Sequence, residues 1–274
     1  MSIAVVFDSA GTLLRTYRTA KDVTTGEVIP HVETTNLTFS CDERVLIALN
    51  IHSREVIDAD QSMLVSTYLV EHQIGFGISC TRKVLTADEV GDVLYSDTHA
   101  KIRDMSECIR DVWRCCKKES VLTMNSGVIV NMGLPGIEFT LTVGGRPFSG
   151  AKETITTLHQ MGIPTFIASG DRVAKLERMA DYLGIPRDRV FGVATPSIKA
   201  GIVEDLKREY ETVVMVGDGI NDIAAMKKAD YAVLTGQQPG ERPERLYAAA
   251  DQVITEVSEV VQIVRRLQTT TRRI

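Results

Sequence analysis

The chain has 274 residues, 44% of them hydrophobic and 24% charged, with a formal net charge of −5. This suits a soluble globular protein of one large or two modest domains, and the acidic balance argues against a nucleic-acid partner held by phosphate contacts. No stretch reaches the roughly 20 apolar residues of a membrane helix, and the N-terminus runs straight into a short apolar segment without signal-peptide features, so no membrane partner and a cytoplasmic location are expected.

The apolar run Ile3-Ala4-Val5-Val6-Phe7 reads as a buried strand, with Asp8 directly at its end. The middle of the chain is mixed. Residues 32–40 show strand-like alternation, and 44–51 form a second strand candidate. Residues 61–72 look helical and 76–80 extended. Thr86-Ala87-Asp88-Glu89 has the spacing of a capping box. A longer helix fits residues 100–118, with Trp113 on its core side, and residues 128–143 suggest a hairpin around 133–136.

Beyond residue 145 the pattern changes to alternating helices and apolar strands. Helices fit residues 150–160, 173–183, 197–209 and 221–228, and the second is expected to stop at Gly184. Strands fit residues 164–168, 190–192, 212–216 and 231–234. Their apolar runs do not alternate, which implies a parallel sheet covered on both faces. The tail from Arg265 to Arg273 is locally basic and reads as a solvated helix end. The expected fold is therefore α/β. A Rossmann-like parallel core of residues 1–14 plus 145–274 carries an inserted α+β cap domain of residues 15–144.

In parallel α/β sheets, ligands bind beyond the carboxyl ends of the strands. Asp8 stands at one such end. Ser169-Gly170-Asp171 follow a second strand, and Gly217-Asp218-Gly219-Ile220-Asn221-Asp222 follow a third. Lys199 lies in the first turn of the helix expected from residue 197. Asp8, Asp218 and Asp222 are hard oxygen donors suited to Mg²⁺. Ser169 and the Gly170 N–H could donate to phosphoryl oxygens, and Lys199 could bridge Asp8 and a phosphate. Such surroundings turn a carboxylate into a nucleophile toward phosphorus. The five cysteines form no C-x-x-C pair and the five histidines are scattered, so both sets read as structural. There is no Walker-type phosphate loop.

The stretches FDSAGT, ASGDR, IKAGIVEDL and VGDGINDIAAM together resemble the four motifs of the haloacid dehalogenase superfamily. The segments after Gly144 look like the phosphorylation domain of P-type ATPases, as in soluble ATPase-like phosphatases of archaea. The resemblance implies an aspartyl-phosphate on Asp8, with Lys199 and Ser169 catalytic. It implies phosphoryl contacts from Ser169 and Gly170, and support from Thr12 and Asn221. It implies Mg²⁺ held by Asp8, Asp218, Asp222 and the Ala10 carbonyl, with Gly11 and Gly217 allowing close backbone approach. The partner would be a small phosphorylated substrate; oligomeric state is not legible.

Ala10 departs from the usual pattern. Most phosphatases of the superfamily carry there a second aspartate that protonates the leaving group. The expected activity is thus a phosphohydrolase favouring activated leaving groups. Two alternatives stay open. One is phosphonoacetaldehyde-hydrolase-like C–P cleavage, which needs a Schiff-base lysine from the cap; Lys21, Lys83, Lys101, Lys117 and Lys118 are available. The other is a phosphate-binding protein with negligible turnover. The middle segment lacks the adenine-site motif of P-type ATPases, which counts against ATP as substrate. It would act as a cap with hinges near Leu14 and Gly144-Gly145.

Overall fold

The computed structural model describes residues 2–116, 121–134 and 136–270. Its strands are β1 (Ile3–Phe7), β2 (Leu14–Asp22), β3 (Val28–Pro30), β4 (Arg44–Leu49), β5 (Phe76–Thr81), β6 (Thr123–Asn131), β7 (Gly136–Pro147), β8 (Thr165–Ala168), β9 (Val190–Phe191), β10 (Thr212–Gly217), β11 (Tyr231–Thr235) and β12 (Gln252–Ile254). They form two six-stranded sheets. The chain divides into two compact units, one of Met1–Thr16 with Arg146–Ile274 and one of Tyr17–Gly145. The chain passes from one unit to the other inside β2 and again inside β7, which are neighbours in one sheet.

The first unit holds the parallel sheet, in the order β12-β11-β10-β1-β8-β9. β1 lies at its centre and all five of its residues are buried. This is why its sequence is apolar throughout: both faces are covered, so neither needs polar side chains. Ala4, Val6, Val213 and Met215 pack on Val203 and Leu206 of the helix Pro196–Leu206 and on Ala225 and Met226 of the helix Ile223–Met226. The helix Val173–Leu183 stops at Gly184, whose φ of +82° closes the last turn in the left-handed region where glycine carries no Cβ penalty.

The second unit is built on the sheet β3-β2-β7-β6-β4-β5. The pairs β2–β3, β6–β7, β4–β6 and β4–β5 are antiparallel. Val45, Ile47, Val128 and Val130 from one face form a core with Ile102, Met105 and Ile109 of the helix Ile102–Cys116. Trp113 packs half-buried against that core. The helix Ala87–Tyr95 has the full expected capping box, with Glu89 N–H donating to Thr86 Oγ1 and Thr86 N–H donating to Glu89 Oε2.

Two sequence expectations change here. Residues 34–39 are a helix, not a strand; Leu37 packs on Val32, Phe139 and Leu141, and Thr38 Oγ1 donates back to Thr34 O, so packing overrides the β-propensity of the threonines. The helix expected over 221–228 is a single 3₁₀ turn, Ile220–Asp222, followed by the short helix Ile223–Met226. Gly144 lies buried inside β7, where a Cβ would come 2.4 Å from Val112 Cγ1, so close packing calls for glycine at that position. The ends expected for the 100–118 helix and the basic tail, Lys117, Lys118, Arg272 and Arg273, lie outside the described residues.

Candidate active site

The parallel register explains why the motifs meet. Phe7 is paired with Val216 of β10 on one side and with Ile167 of β8 on the other. The carboxyl ends of three adjacent strands are therefore level, and the residues that follow them share one edge. Asp8 follows β1, Ser169 follows β8, and Asp218 follows β10.

Asp8 is 4% exposed, and its N–H donates to Val216 O. Lys199 is fully buried, in the first turn of the helix that Thr195 caps through the Ile198 N–H. Its ammonium donates to Asp8 Oδ1 at 2.5 Å and to Asp222 Oδ1 at 2.6 Å. Burial opposes the charge on Lys199, but Asp8 and Asp222 outweigh it and hold its pKa above the ordinary lysine value. Asp222 Oδ2 accepts from the N–H groups of Asp218 and Gly219, both at 3.1 Å. Gly217 is required by this turn, since a Cβ there would lie 2.5 Å from Asp222 Oδ2.

The Asp8 loop turns back sharply. Ser9 O accepts from the N–H groups of Leu13 and Leu14, and Gly11 N–H donates to Leu14 O. Gly11 has a φ of +79°, and a Cβ there would lie 1.8 Å from Asp218 Oδ2, so backbone and carboxylate approach as only glycine permits. Ala10 precedes it, half-buried. Thr12 is fully buried, and its Oγ1 has no hydrogen-bond partner within the described protein. Such a hydroxyl costs stability unless something satisfies it, which fits a site built to take a polar ligand.

Ser169 is buried and held on one side by β9 and on the other by the segment that follows it. Its N–H donates to Phe191 O, and its O accepts from Ala194 N–H. Val193 N–H donates to Asp171 O from a backbone with φ +53°. A β-branched residue in that region is strained, by about 1–3 kcal/mol, and the strain sits in the segment that fixes Ser169. Gly170 is exposed. Asn221 is exposed too, with its side chain folded over Gly219, so of the expected residues it stands furthest from the buried ion pairs in character.

The cluster fits a divalent cation. Oxygens of Asp8, Asp218 and Asp222 all lie within 4.8 Å of one another, and all are hard donors. Lys199 pairs with Asp8 and Asp222, and Arg242 approaches Asp218 from the edge. Burial, together with the charge of Asp222, pushes the Asp8 pKa well up against the opposing pull of Lys199. A divalent cation would add positive charge to this carboxylate cluster.

A family model described as haloacid dehalogenase-like hydrolase matches residues 126–230. A soluble P-type ATPase-like phosphatase of Methanocaldococcus jannaschii is 30% identical over 269 residues, 97% of this chain and 94% of that protein. The chain belongs to this family. It is a hydrolase of the phosphatase type within the haloacid dehalogenase superfamily, with the parallel α/β core that the motifs imply. A probable copper-importing P-type ATPase A of Enterococcus hirae is 37% identical over 86 residues, 31% of this chain and 12% of that protein. A crystal structure of a zinc-transporting PIB-type ATPase aligns with 98% of this chain and 41% of its own, at 19% identity and a TM-score of 0.48. No described helix is long and apolar enough to cross a membrane.

The sequence reading missed one part of the site of this phosphatase-family chain. Gln237, Gln238 and Arg242 follow β11; Gln237 bonds to Thr12 of the Asp8 loop, Gln238 to Thr16 in β2, and Arg242 to Asp218. The signal was available, because they too stand beyond the carboxyl end of a parallel strand.

Lys199→Met should lower stability by about 3–5 kcal/mol in the absence of metal, because it leaves Asp8 and Asp222 buried without their shared cation. Urea unfolding with and without Mg²⁺ checks this; a loss near zero contradicts it.

Proposed function

We propose that the chain is a Mg²⁺-dependent phosphohydrolase that acts through an aspartyl-phosphate on Asp8 and favours activated leaving groups. The observation that carries this reading is the buried Asp8–Lys199–Asp222 ion-pair chain beside a carboxylate cluster suited to a divalent cation. Asp8, Asp218, Asp222 and the Ala10 carbonyl would hold Mg²⁺. When bound, the ion supplies charge neutralisation of the transferring phosphoryl group.

The rest is done by the protein. A carboxylate oxygen of Asp8 forms a bond to phosphorus. The bond from phosphorus to the leaving oxygen breaks, and that oxygen departs with the electron pair. Lys199 balances charge beside Asp8 Oδ1, while the Ser169 hydroxyl and the Gly170 N–H donate to phosphoryl oxygens. Thr12 and Asn221 support the two loops. Water then attacks phosphorus and loses a proton to solvent. The bond from phosphorus to Asp8 breaks, which frees inorganic phosphate and restores the carboxylate.

Ala10 sets the selectivity. It has no proton to give, so the leaving group must be stable as an anion. Nitrophenyl phosphate and acyl phosphates meet that condition; alkyl phosphates do not. The C–P cleavage alternative requires an unprotonated lysine amine. Lys21 is ion-paired with Asp104 and Glu107, whose contacts raise its pKa against the opposing effect of burial. Lys83 pairs with Glu43. Both pairings disfavour that chemistry.

A panel of phosphate compounds with Mg²⁺ tests the reading. Acetyl phosphate and p-nitrophenyl phosphate should be hydrolysed about 10²-fold or more faster than sugar phosphates. Equal rates across the panel would remove the role given to Ala10, and no release from any member would remove the hydrolase assignment of this site.

A further inference from the structure

The loop after β11 has the sequence Gly236-Gln237-Gln238-Pro239-Gly240-Glu241-Arg242-Pro243 and connects two motif loops through side chains. Gln237 Nε2 donates to Thr12 O at 3.3 Å. Gln238 clamps the backbone of Thr16 from both sides, its Oε1 accepting from Thr16 N–H at 3.0 Å and its Nε2 donating to Thr16 O at 3.1 Å. Arg242 reaches the other motif. Its Nε donates to Asp218 O at 3.2 Å, its Nη2 to Gln238 O at 2.8 Å, and its Nη1 to Gly240 O at 3.2 Å. The same Nη2 stands 3.9 Å from Asp218 Oδ2, and the side chain is only 11% exposed.

We infer that Arg242 is a positioning residue for Asp218, helping to fix that carboxylate for the metal ion. This rests on the Mg²⁺ reading of the cluster given above. Asp218 ends a strand and its carboxylate lies against Gly11, where a small rotation would either strike the Asp8 loop or withdraw the oxygen from the cluster. Its backbone is held on the N–H side by Asp222 and on the C=O side by Arg242. Removing Arg242 takes away its contact on one of those two sides. The guanidinium is suited to this task because its planar fork binds three carbonyl oxygens in fixed directions at once; an ammonium cannot hold that pattern. Arg242 also ties Asp218 to Gln238, which holds Thr16 at the start of β2, while the neighbouring Gln237 holds Thr12 of the Asp8 loop.

Groups behind metal ligands typically set metal affinity by about 10- to 100-fold. Arg242→Lys keeps the charge and loses the fork. Titration calorimetry of Mg²⁺ into the full chain should give a dissociation constant about tenfold weaker for Arg242→Lys than for the wild type. The Mg²⁺ concentration that gives half-maximal phosphate release should rise in the same proportion. Arg242→Ala should weaken Mg²⁺ at least as much, with melting of the metal-free protein showing that both variants fold. An unchanged Mg²⁺ constant in Arg242→Lys overturns the inference, as does a lowered melting temperature with no shift in Mg²⁺ affinity. Tighter Mg²⁺ binding in Arg242→Ala overturns it too, since Arg242 would then act only as a competing charge. A wild type that binds no Mg²⁺ overturns both this inference and the metal reading on which it rests.

Discussion

Asp8→Asn should reduce phosphate release from acetyl phosphate by roughly 10⁴-fold or more, as loss of a nucleophile does in enzymes with a covalent intermediate, without a loss of folding stability. The two halves of that expectation have separate causes. The amide cannot form an acyl phosphate, so the first bond to phosphorus is never made. The same change removes one of three carboxylates from a buried cluster in which burial and Asp222 already push the Asp8 pKa well up. Removing an unfavourable buried charge does not weaken the fold. Lys199 keeps Asp222 as its ion-pair partner at 2.6 Å. Steady-state phosphate release and urea unfolding of the same preparation check both halves. A variant with substantial remaining activity contradicts the nucleophile assignment. A variant that is inactive because it is unfolded contradicts the account of the buried charge.

Ala10→Asp should act in the opposite direction and on a different class of substrate. The loop Asp8–Leu13 carries position 10 half-buried beside the nucleophile, two residues on, where a carboxylic acid could reach a departing oxygen. A positioned general acid contributes about 10²–10⁴-fold. Hydrolysis of sugar phosphates should therefore rise by about 10²-fold, while hydrolysis of p-nitrophenyl phosphate, whose leaving group needs no proton, should change little. The ratio of the two rates is the readout, because it cancels errors in active-enzyme concentration. If both substrates gain equally, or neither gains, the leaving-group bias has another source than Ala10.

The parallel unit was legible because its strands are buried on both faces, so Ile3–Phe7 and Thr212–Gly217 announce themselves as uninterrupted apolar runs. The convergence of Asp8, Lys199, Asp218 and Asp222 was legible by the same token, since side chains at the ends of adjacent parallel strands must meet. The second unit was harder to read. β2, Leu14–Asp22, carries Arg15, Arg18 and Lys21 and does not look like a strand. Lys21 is nonetheless buried, because Asp104 and Glu107 of a distant helix neutralise it; no local pattern reveals such pairing. The Thr34–Phe39 helix was hidden for a related reason, its threonines favouring a strand until Leu37 and Thr38 found their contacts. The Gln237–Arg242 loop escaped because it carries no regular structure and its two amides and one guanidinium act on backbone atoms rather than on each other.

The central claim is that a phosphoryl group passes through Asp8. The most direct measurement is acid quenching of the enzyme during turnover of acetyl phosphate with Mg²⁺, followed by proteolysis and mass spectrometry of the peptide that contains Asp8. The account predicts an acid-stable, alkali-labile phosphoryl adduct on that residue, absent in Asp8→Asn and absent without Mg²⁺. Phosphate release at full rate with no adduct on Asp8, under conditions where the second step is slowed, would mean that water attacks the substrate directly.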